Sequence, residues 1–364
     1  MNKIITLLAL FIAQFILAQP PQGYYNTAEN LTGFQLKTAL YNIIKDHNDQ
    51  TYGAIDNFFI FNDLDVYFEN DNTILDPYSE NPNGQDPYNF DPFANPCGNY
   101  SGEGDCYNKE HVIPQSVFSQ NNPMRGDAHH LLPTDGRVNG FRSNFPFGTV
   151  GTNLISQSGI TKPTQNGSKL GNSTVTGYSG TVFEPIDEFK GDIARIYFYF
   201  VTRYEDLVGN WSSYPMFNGS SNQVLSTPFL NLLYQWHLND PVSEKEINRN
   251  NAIYQYQGNR NPFIDHPEWV CEVWNVNNCT LSSENFSTLD FVVYPNPNNG
   301  TFYIQTNEVL ENISIYSLQG TKIQEIENPV LEGNQYQISN LNSGFYFVNL
   351  IANGQNVVKK IVVQ

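Results

Sequence analysis

The sequence predicts an α+β protein: a mainly helical domain over residues 20–280, then a small all-β sandwich over residues 291–364. Two observations carry this. Before Cys279 several stretches repeat apolar residues at helical spacing, and after it short alternating strands follow one another between turn signals. A third observation concerns chemistry. Asn108 to Gly148 holds three of the chain's six histidines together with a set of oxygen ligands. That density points to one metal and one proton acceptor working on one substrate.

The chain opens Met1-Asn2-Lys3, runs apolar from Ile4 to Leu17, and continues Ala18-Gln19-Pro20. One cation, a short apolar stretch and a small residue at the boundary describe a secretory signal peptide over residues 1–19, cleaved near Ala18 or Gln19. The run is short for a membrane span, and no other apolar run reaches spanning length. A soluble, exported protein is expected. Export permits disulfides. The four cysteines form two close pairs, so Cys97–Cys106 and Cys271–Cys279 are the expected local bridges. Wide spacings, and the distance between the pairs, speak against a four-cysteine zinc site.

The formal charge of −18 argues by itself against a polyanionic substrate. From Lys109 to Arg203, however, nine cations stand against seven anions, and this window holds half of all the Lys and Arg residues. A basic face on an acidic body fits that balance, with the acidic remainder serving solubility outside the cell.

Leu36, Leu40, Ile43 and Ile44 repeat at three and four, which predicts a helix over Thr38 to His47. Residues 61–108 are rich in Asn, Asp, Pro, Tyr and Gly and read as loops. Asp63, Asp65, Glu69 and Asp71 could hold calcium there, but they lack the glycine and final glutamate of an EF-hand loop, so a solvated turn is favoured. Ala128 to Pro133 reads as a strand ended by proline, and Gly136 to Asn144 as a following helix. Residues 150–182, full of Gly, Ser, Thr and Asn, read as a long surface excursion. Glu188 to Leu207 is the strongest helix, with Ile193, Ile196, Tyr197, Phe200 and Val201 on one face. Phe229 to His237 and Ser243 to Tyr256 are further helices, the latter opened by a capping box at Ser243 and Glu246. Residues 281–290 read as a linker. The sandwich strands are expected at 291–294, 301–306, 312–317, 335–338, 344–351 and 356–363.

Within the central cluster Glu110 and His111 are neighbours, and neighbours on a strand point to opposite faces. For both to serve one site they must sit at a bend or strand end, with which Pro114 is consistent. Glu110 and an Asn amide oxygen are hard ligands suited to Mg²⁺ and leave positions for water and phosphate. A neutral imidazole titrates near operating pH and can take a proton from water.

Four ordered blocks make the segment resemble the bacterial endonuclease I family of secreted nucleases, built on a ββα-metal motif. They are Glu110-His111-Val112-Ile113-Pro114, the run Asp127-Ala128-His129-His130-Leu131-Leu132-Pro133 with Val138-Asn139-Gly140-Phe141-Arg142-Ser143-Asn144, the helix around Lys190-Gly191-Asp192, and Asn259-Arg260-Asn261-Pro262. The resemblance covers about residues 25–275. It implies a metal-dependent endonuclease that hydrolyses phosphodiester bonds of DNA, and of RNA, with little sequence preference and leaves 5′-phosphate ends. It implies Mg²⁺, with Ca²⁺ or Mn²⁺ as other occupants of the same oxygen site. By it His111 is the general base and Glu110 and Asn139 hold the metal. Arg142 and Arg125 join the catalytic group, and Lys109, Arg195 and His129 bind substrate. His130 departs from the family, which commonly has Asn there.

Each of these has a plainer reading. His129 is as readily a packed residue, and His130 more readily so. His266 fits a turn, His47 and His237 ordinary helix positions, Asn144 a helix cap, and Arg195 a partner for an acid.

The last domain resembles a type IX secretion sorting domain through Tyr294-Pro295-Asn296-Pro297, Asn299-Gly300, Ile315-Tyr316, Gly344-Phe345-Tyr346 and the closing Lys359-Lys360-Ile361-Val362-Val363. This implies passage through the periplasm, an outer-membrane secretion machinery as partner, and a secreted or surface-attached product. A monomer is expected. The rival for this domain alone is a carbohydrate-binding or adhesive β module. The rivals for the whole are a non-catalytic binding or adhesion protein with a decayed site, and an enzyme of the same fold acting on another phosphodiester.

Overall fold

A computed structural model of the chain describes residues 20–94, 97, 99–276, 292–306, 309–317, 322–331, 335–352 and 355–364. The expected signal peptide (1–19) and linker (281–290), and Cys279, lie outside the described residues. The chain divides into two compact units, Met1–Cys279 and Thr280–Gln364.

The first unit is built around one helix, α4 (Lys190–Arg203), in which twelve of fourteen residues are buried. A helix apolar on nearly all sides belongs in the middle of a fold, and this one packs against α1 (Gly33–Ile44), α5 (Thr227–Asn239) and α7 (Pro262–Asp265). The remaining helices are α2 (Ile55–Asn62), α3 (Gly136–Arg142), α6 (Glu244–Gln257) and α8 (Trp269–Trp274). The α6 capping box forms as its sequence suggests, Ser243 accepting from the Glu246 amide and Glu246 from the Ser243 amide. Helix α1 starts five residues before the expected Thr38 and stops at Ile44, short of the expected His47. Its buried row is Leu36, Leu40 and Ile44.

Strand β1 (Tyr107–His111) pairs antiparallel with β2 (Leu131–Asp135), with Glu110 opposite Leu132 and His111 opposite Leu131. The expected strand over Ala128–Pro133 begins instead with a 3-10 turn at Ala128–His130. Asp127 causes this: its carboxylate accepts the His129 amide at 3.0 Å and caps the turn. Helix α3 follows β2 directly. Asp135 ends the strand and caps the helix, its Oδ1 accepting the Val138 amide at 2.7 Å.

Residues 150–182 are not a structureless excursion. They carry β3 (Val150–Leu154) and β4 (Lys169–Ser173), which with β5 (Thr181–Glu184) form a three-stranded antiparallel sheet. Val150, Leu170, Val182 and Phe183 are buried, and the intervening Gly, Ser, Thr and Asn break up the apolar pattern in the sequence. No helix among the described residues is long and apolar enough to cross a membrane.

The second unit has two antiparallel sheets. One has the order β10 (Gln335–Ile338), β7 (Phe302–Gln305), β6 (Val292–Tyr294). The other runs β12 (Gln355–Val363), β11 (Gly344–Ala352), β8 (Asn312–Ser317), β9 (Lys322–Glu327). Phe302, Ile304 and Tyr336 from the first sheet share one core with Ile313, Val348 and Leu350 from the second. Strand β9 was absent from the sequence reading. It is an edge strand, KIQEIE, with no residue fully buried, so its alternation is nearly silent.

Candidate functional site

Strands β1 and β2 and helix α3 meet at a polar cleft of about 400 Å³ whose walls include Tyr52, Lys109, Glu110, His111, Asn139 and Arg142. Pairing with β2 sustains β1 up to His111, after which the chain bends through Val112 and Ile113 towards Pro114. Glu110 and His111 leave the strand in different directions, and the bend lets both line the cleft.

Glu110 is 2% exposed. Its Oε1 accepts from Arg142 Nη1 at 2.8 Å and from the Tyr78 hydroxyl at 3.0 Å. Its Oε2 accepts no hydrogen bond from the described residues. Burial pushes the carboxyl up to about 7, and Arg142 and Tyr78 offset this only in part. A hard cation beside it would favour the carboxylate.

Arg142 is 1% exposed. Beyond Glu110, its Nη1 donates to the His111 carbonyl at 2.9 Å and its Nη2 to the Val112 carbonyl at 2.7 Å. The guanidinium lies over the Phe147 ring, 4.4 Å from its centroid. Its donors thus hold the strand end and the Glu110 carboxylate from behind. The resemblance placed it in the catalytic group; the geometry gives it a supporting role behind Glu110.

His111 Nε2 lies 3.1 Å from the Arg125 carbonyl. A carbonyl can only accept, so Nε2 carries the hydrogen and Nδ1 keeps the lone pair. Burial, and then the nearby His130 ring, lower this imidazole to about 3, which makes it neutral at neutral pH. Its ring stacks on Tyr52 at 5.5 Å and 16°. Tyr52 also carries the Arg125 guanidinium at 4.8 Å and Lys109 Nζ at 4.7 Å from its centroid. Lys109 pairs with Asp56 as well. One aromatic ring therefore orients the base and gathers two cations at the rim.

Asn139, on α3, faces the strand. Its Nδ2 donates to Asn108 Oδ1 at 2.7 Å and to the Lys109 carbonyl at 3.3 Å. This fixes the amide so that Oδ1 is the free end. Glu110 Oε2 and Asn139 Oδ1 are two hard oxygens without hydrogen-bond donors in one polar cleft. The residues present fit a divalent cation that keeps several positions for water and phosphate.

The central helix holds this unit in place. Tyr197 on α4 donates to the Val112 carbonyl at 3.2 Å, just past His111. Asp127, just before β2, accepts from Tyr199 at 2.9 Å, Tyr204 at 2.8 Å and Gln257 at 2.7 Å. The hydrogen bonds and the flanking histidines hold its carboxyl far below the usual range despite burial. Close approach also shapes α3: a Cβ on Gly140 would lie 2.7 Å from the Tyr100 hydroxyl. Tyr100 sits in the loop closed by the expected Cys97–Cys106 disulfide. Cys271 is disulfide-bonded too, but its expected partner Cys279 is outside the described residues.

Of the residues singled out in the sequence, Glu110, His111, Asn139, Lys109, Arg142 and the Arg125 backbone come together at the cleft. Two do not, and their expected substrate contacts are corrected. Arg195 is fully buried, doubly bonded to Glu246 and donating to the Asp240 carbonyl and to His237. It is a structural ion pair, buried away from the cleft and held by two acids and a carbonyl. His129 is buried against Tyr199, ring centroids 4.3 Å apart, with Nε2 donating to the Asn259 carbonyl. His130 likewise donates through Nε2 to the Met124 carbonyl at 2.6 Å, in its expected packing role. His266 stacks on Trp269 at 4.0 Å, as a turn residue. Tyr52 and Tyr78 were missed. Neither lies near the motif in sequence, and a lone tyrosine in a loop-like segment carries no signal of its own.

The family described as Endonuclease I matches residues 32–268, and the Secretion system C-terminal sorting domain matches residues 292–364. An extracellular ribonuclease of Bacillus subtilis (strain 168) is 35% identical over 268 residues, covering 69% of this chain and 78% of that protein. An extracellular deoxyribonuclease of Aeromonas hydrophila is 31% identical over 144 residues, 40% of this chain and 50% of that protein. Endonuclease-1 of Buchnera aphidicola subsp. Baizongia pistaciae (strain Bp) is 31% identical over 138 residues, 38% of this chain and 45% of that protein.

Proposed function

The chain belongs to the endonuclease I family and carries a secretion sorting domain, and from that premise we propose that it is a metal-dependent endonuclease cutting both DNA and RNA with little sequence preference. That it is a secreted or cell-surface nuclease follows from the family, the sorting domain and the relatives. The finer reading is supported by one juxtaposition: a neutral imidazole with its Nδ1 lone pair free, beside two hard oxygens without donors, in one polar cleft.

His111 Nδ1 takes the proton of a water, and the water attacks phosphorus in line. Tyr52 and the Arg125 carbonyl hold the imidazole in the tautomer that makes this possible. Glu110 and Asn139 would hold Mg²⁺, which supplies charge neutralisation at the phosphoryl oxygens and at the departing oxygen. Departure of the 3′ oxygen gives 5′-phosphate ends. Arg142 keeps Glu110 aimed. Lys109 and Arg125, at the rim over Tyr52, meet the backbone of the substrate, and contacts to phosphate carry no sequence information. Relatives named for ribonuclease and for deoxyribonuclease activity support a site that accepts both polymers.

The test is cleavage of supercoiled plasmid and of RNA by the purified chain, with and without chelator, for the wild type and His111→Ala. Chelator should abolish cleavage, and the variant should lose on the order of 10²–10⁴ in rate while melting normally. Near wild-type turnover by the variant removes His111 from the base role. Cleavage that survives chelation removes the metal. A wild type that binds but never cuts leaves the decayed-site reading standing.

A further inference from the structure

The loops before β1 contain a second group of carboxylates, apart from the Glu110 cleft, that the nuclease chemistry does not use. Asp65 and Glu80 are each 1% exposed, and Glu69 is half-buried. One oxygen from each lies within 4.8 Å of the others. Two oxygens on one Ca²⁺, at about 2.4 Å each, can be at most about 4.8 Å apart, so this spacing suits a single ion.

The hydrogen-bond inventory points the same way. Asp65 is fixed by three amides, Oδ1 accepting from Tyr67 at 3.1 Å and Phe68 at 2.9 Å, and Oδ2 from Asn70 at 3.1 Å. Glu69 Oε1 and Oε2 and Glu80 Oε1 are buried and accept no hydrogen bond from any N–H or hydroxyl donor among the described residues. Buried polar atoms almost always have a partner, so three such oxygens in one cluster call for an explanation, and a bound cation supplies one. Asp86 stands close by, accepting the Asn81 amide at 2.6 Å. No Lys or Arg pairs with any of the four among the described residues.

We propose that Asp65, Glu69 and Glu80 form a structural Ca²⁺ site that ties the 65–74 loop to the 80–86 loop, independent of the catalytic cleft. Ca²⁺ fits better than Mg²⁺ because Mg²⁺ keeps several waters in a strict octahedron, whereas this site is buried and irregular and offers carboxylates that can bind through both oxygens. An exported protein meets calcium at the concentrations that such sites need.

The test is equilibrium dialysis of the chelator-stripped full chain against radioactive Ca²⁺, with melting in parallel. The wild type should retain one tight ion. Asn139→Ala should keep it, and Glu80→Gln and Glu69→Gln should bind it at least about tenfold more weakly. Calcium at 1 mM should raise Tm by on the order of 5 °C in the wild type and by much less in Glu80→Gln. Without calcium, Glu80→Gln should melt no lower than the wild type, because an uncharged amide replaces a buried carboxyl that has no cation beside it. Glu69→Gln, at a half-buried position, decides the matter should Glu80→Gln misfold. Absence of any tight ion in the wild type overturns the proposal and leaves protonated carboxyls sharing hydrogen bonds. So does a tight ion that Asn139→Ala loses and Glu80→Gln keeps.

Discussion

Replacing Arg142 with methionine removes the group that holds Glu110 from behind. The guanidinium makes three hydrogen bonds of 2.7 to 2.9 Å in a fully buried setting, one to the Glu110 carboxylate and two to the carbonyls of His111 and Val112. Methionine fills most of the volume but leaves the carboxylate with the Tyr78 hydroxyl as its remaining donor. Breaking one partner of a buried ion pair costs about 3–5 kcal/mol, and an under-satisfied buried carbonyl adds about 1 kcal/mol. Glu110 already tends towards its neutral form, which caps the first cost. The expected loss is about 4 kcal/mol by urea unfolding. In a double-mutant cycle with Glu110→Gln the two changes should couple by about 1–3 kcal/mol, because the second removes the charge that the first leaves stranded. The metal concentration for half-maximal cleavage should rise as Glu110 loses its aim. Stability within about 0.5 kcal/mol of wild type, or an additive cycle, would refute the reasoning. Activity lost with stability and metal dependence unchanged would instead put Arg142 on the substrate.

Two further expectations concern stability. Cys97→Ser with Cys106→Ser opens a loop of sequence separation 9 and should cost about 3 kcal/mol, loosening Tyr100 against α3. Equal urea midpoints for the double variant and the wild type would show that the bridge constrains little. Secondly, burial and Arg195 lower His237 to about 4 from 6.5. The unfolded chain then binds a proton between those values that the folded chain refuses. Stability is complete above about pH 6.5 and is lost as pH falls to about 4, by about 3 kcal/mol for this residue. His237→Gln should show a shallower decline over that window, and identical pH profiles would reject the assignment.

Local pattern was enough for part of this. The amphipathic repeats in α1 and α4, the Ser243–Glu246 cap, the Cys97–Cys106 pairing and most strands of the C-terminal unit follow from spacing along a few residues, and spacing is what the sequence displays. Glu110, His111 and Asn139 were legible because the strand–strand–helix unit that carries them is nearly continuous in the chain. The sheet of β3, β4 and β5 was not, because its strands are short, interrupted by glycine and half-exposed, so alternation had little apolar contrast to show. The acidic turn at Asp65 and Glu69 was read as solvated for a related reason: charge in a sequence looks wet until a distant segment, here Glu80, closes over it.

The roles of the arginines show the remaining limit most clearly. Arg142 and Arg195 look alike as cations beside apolar positions. What separates them is which acid each one meets, Glu110 at the cleft or Glu246 in the core, and which carbonyls complete the fork. Burying a charge is tolerable only with such partners. The chain by itself determined which residue types could do chemistry and roughly where they cluster. The packing of segments far apart in sequence decided which of those groups reach the cleft, which tautomer His111 adopts, and that Tyr52 and Tyr78 stand beside it, because burial and hydrogen-bond partners are properties of the assembled fold.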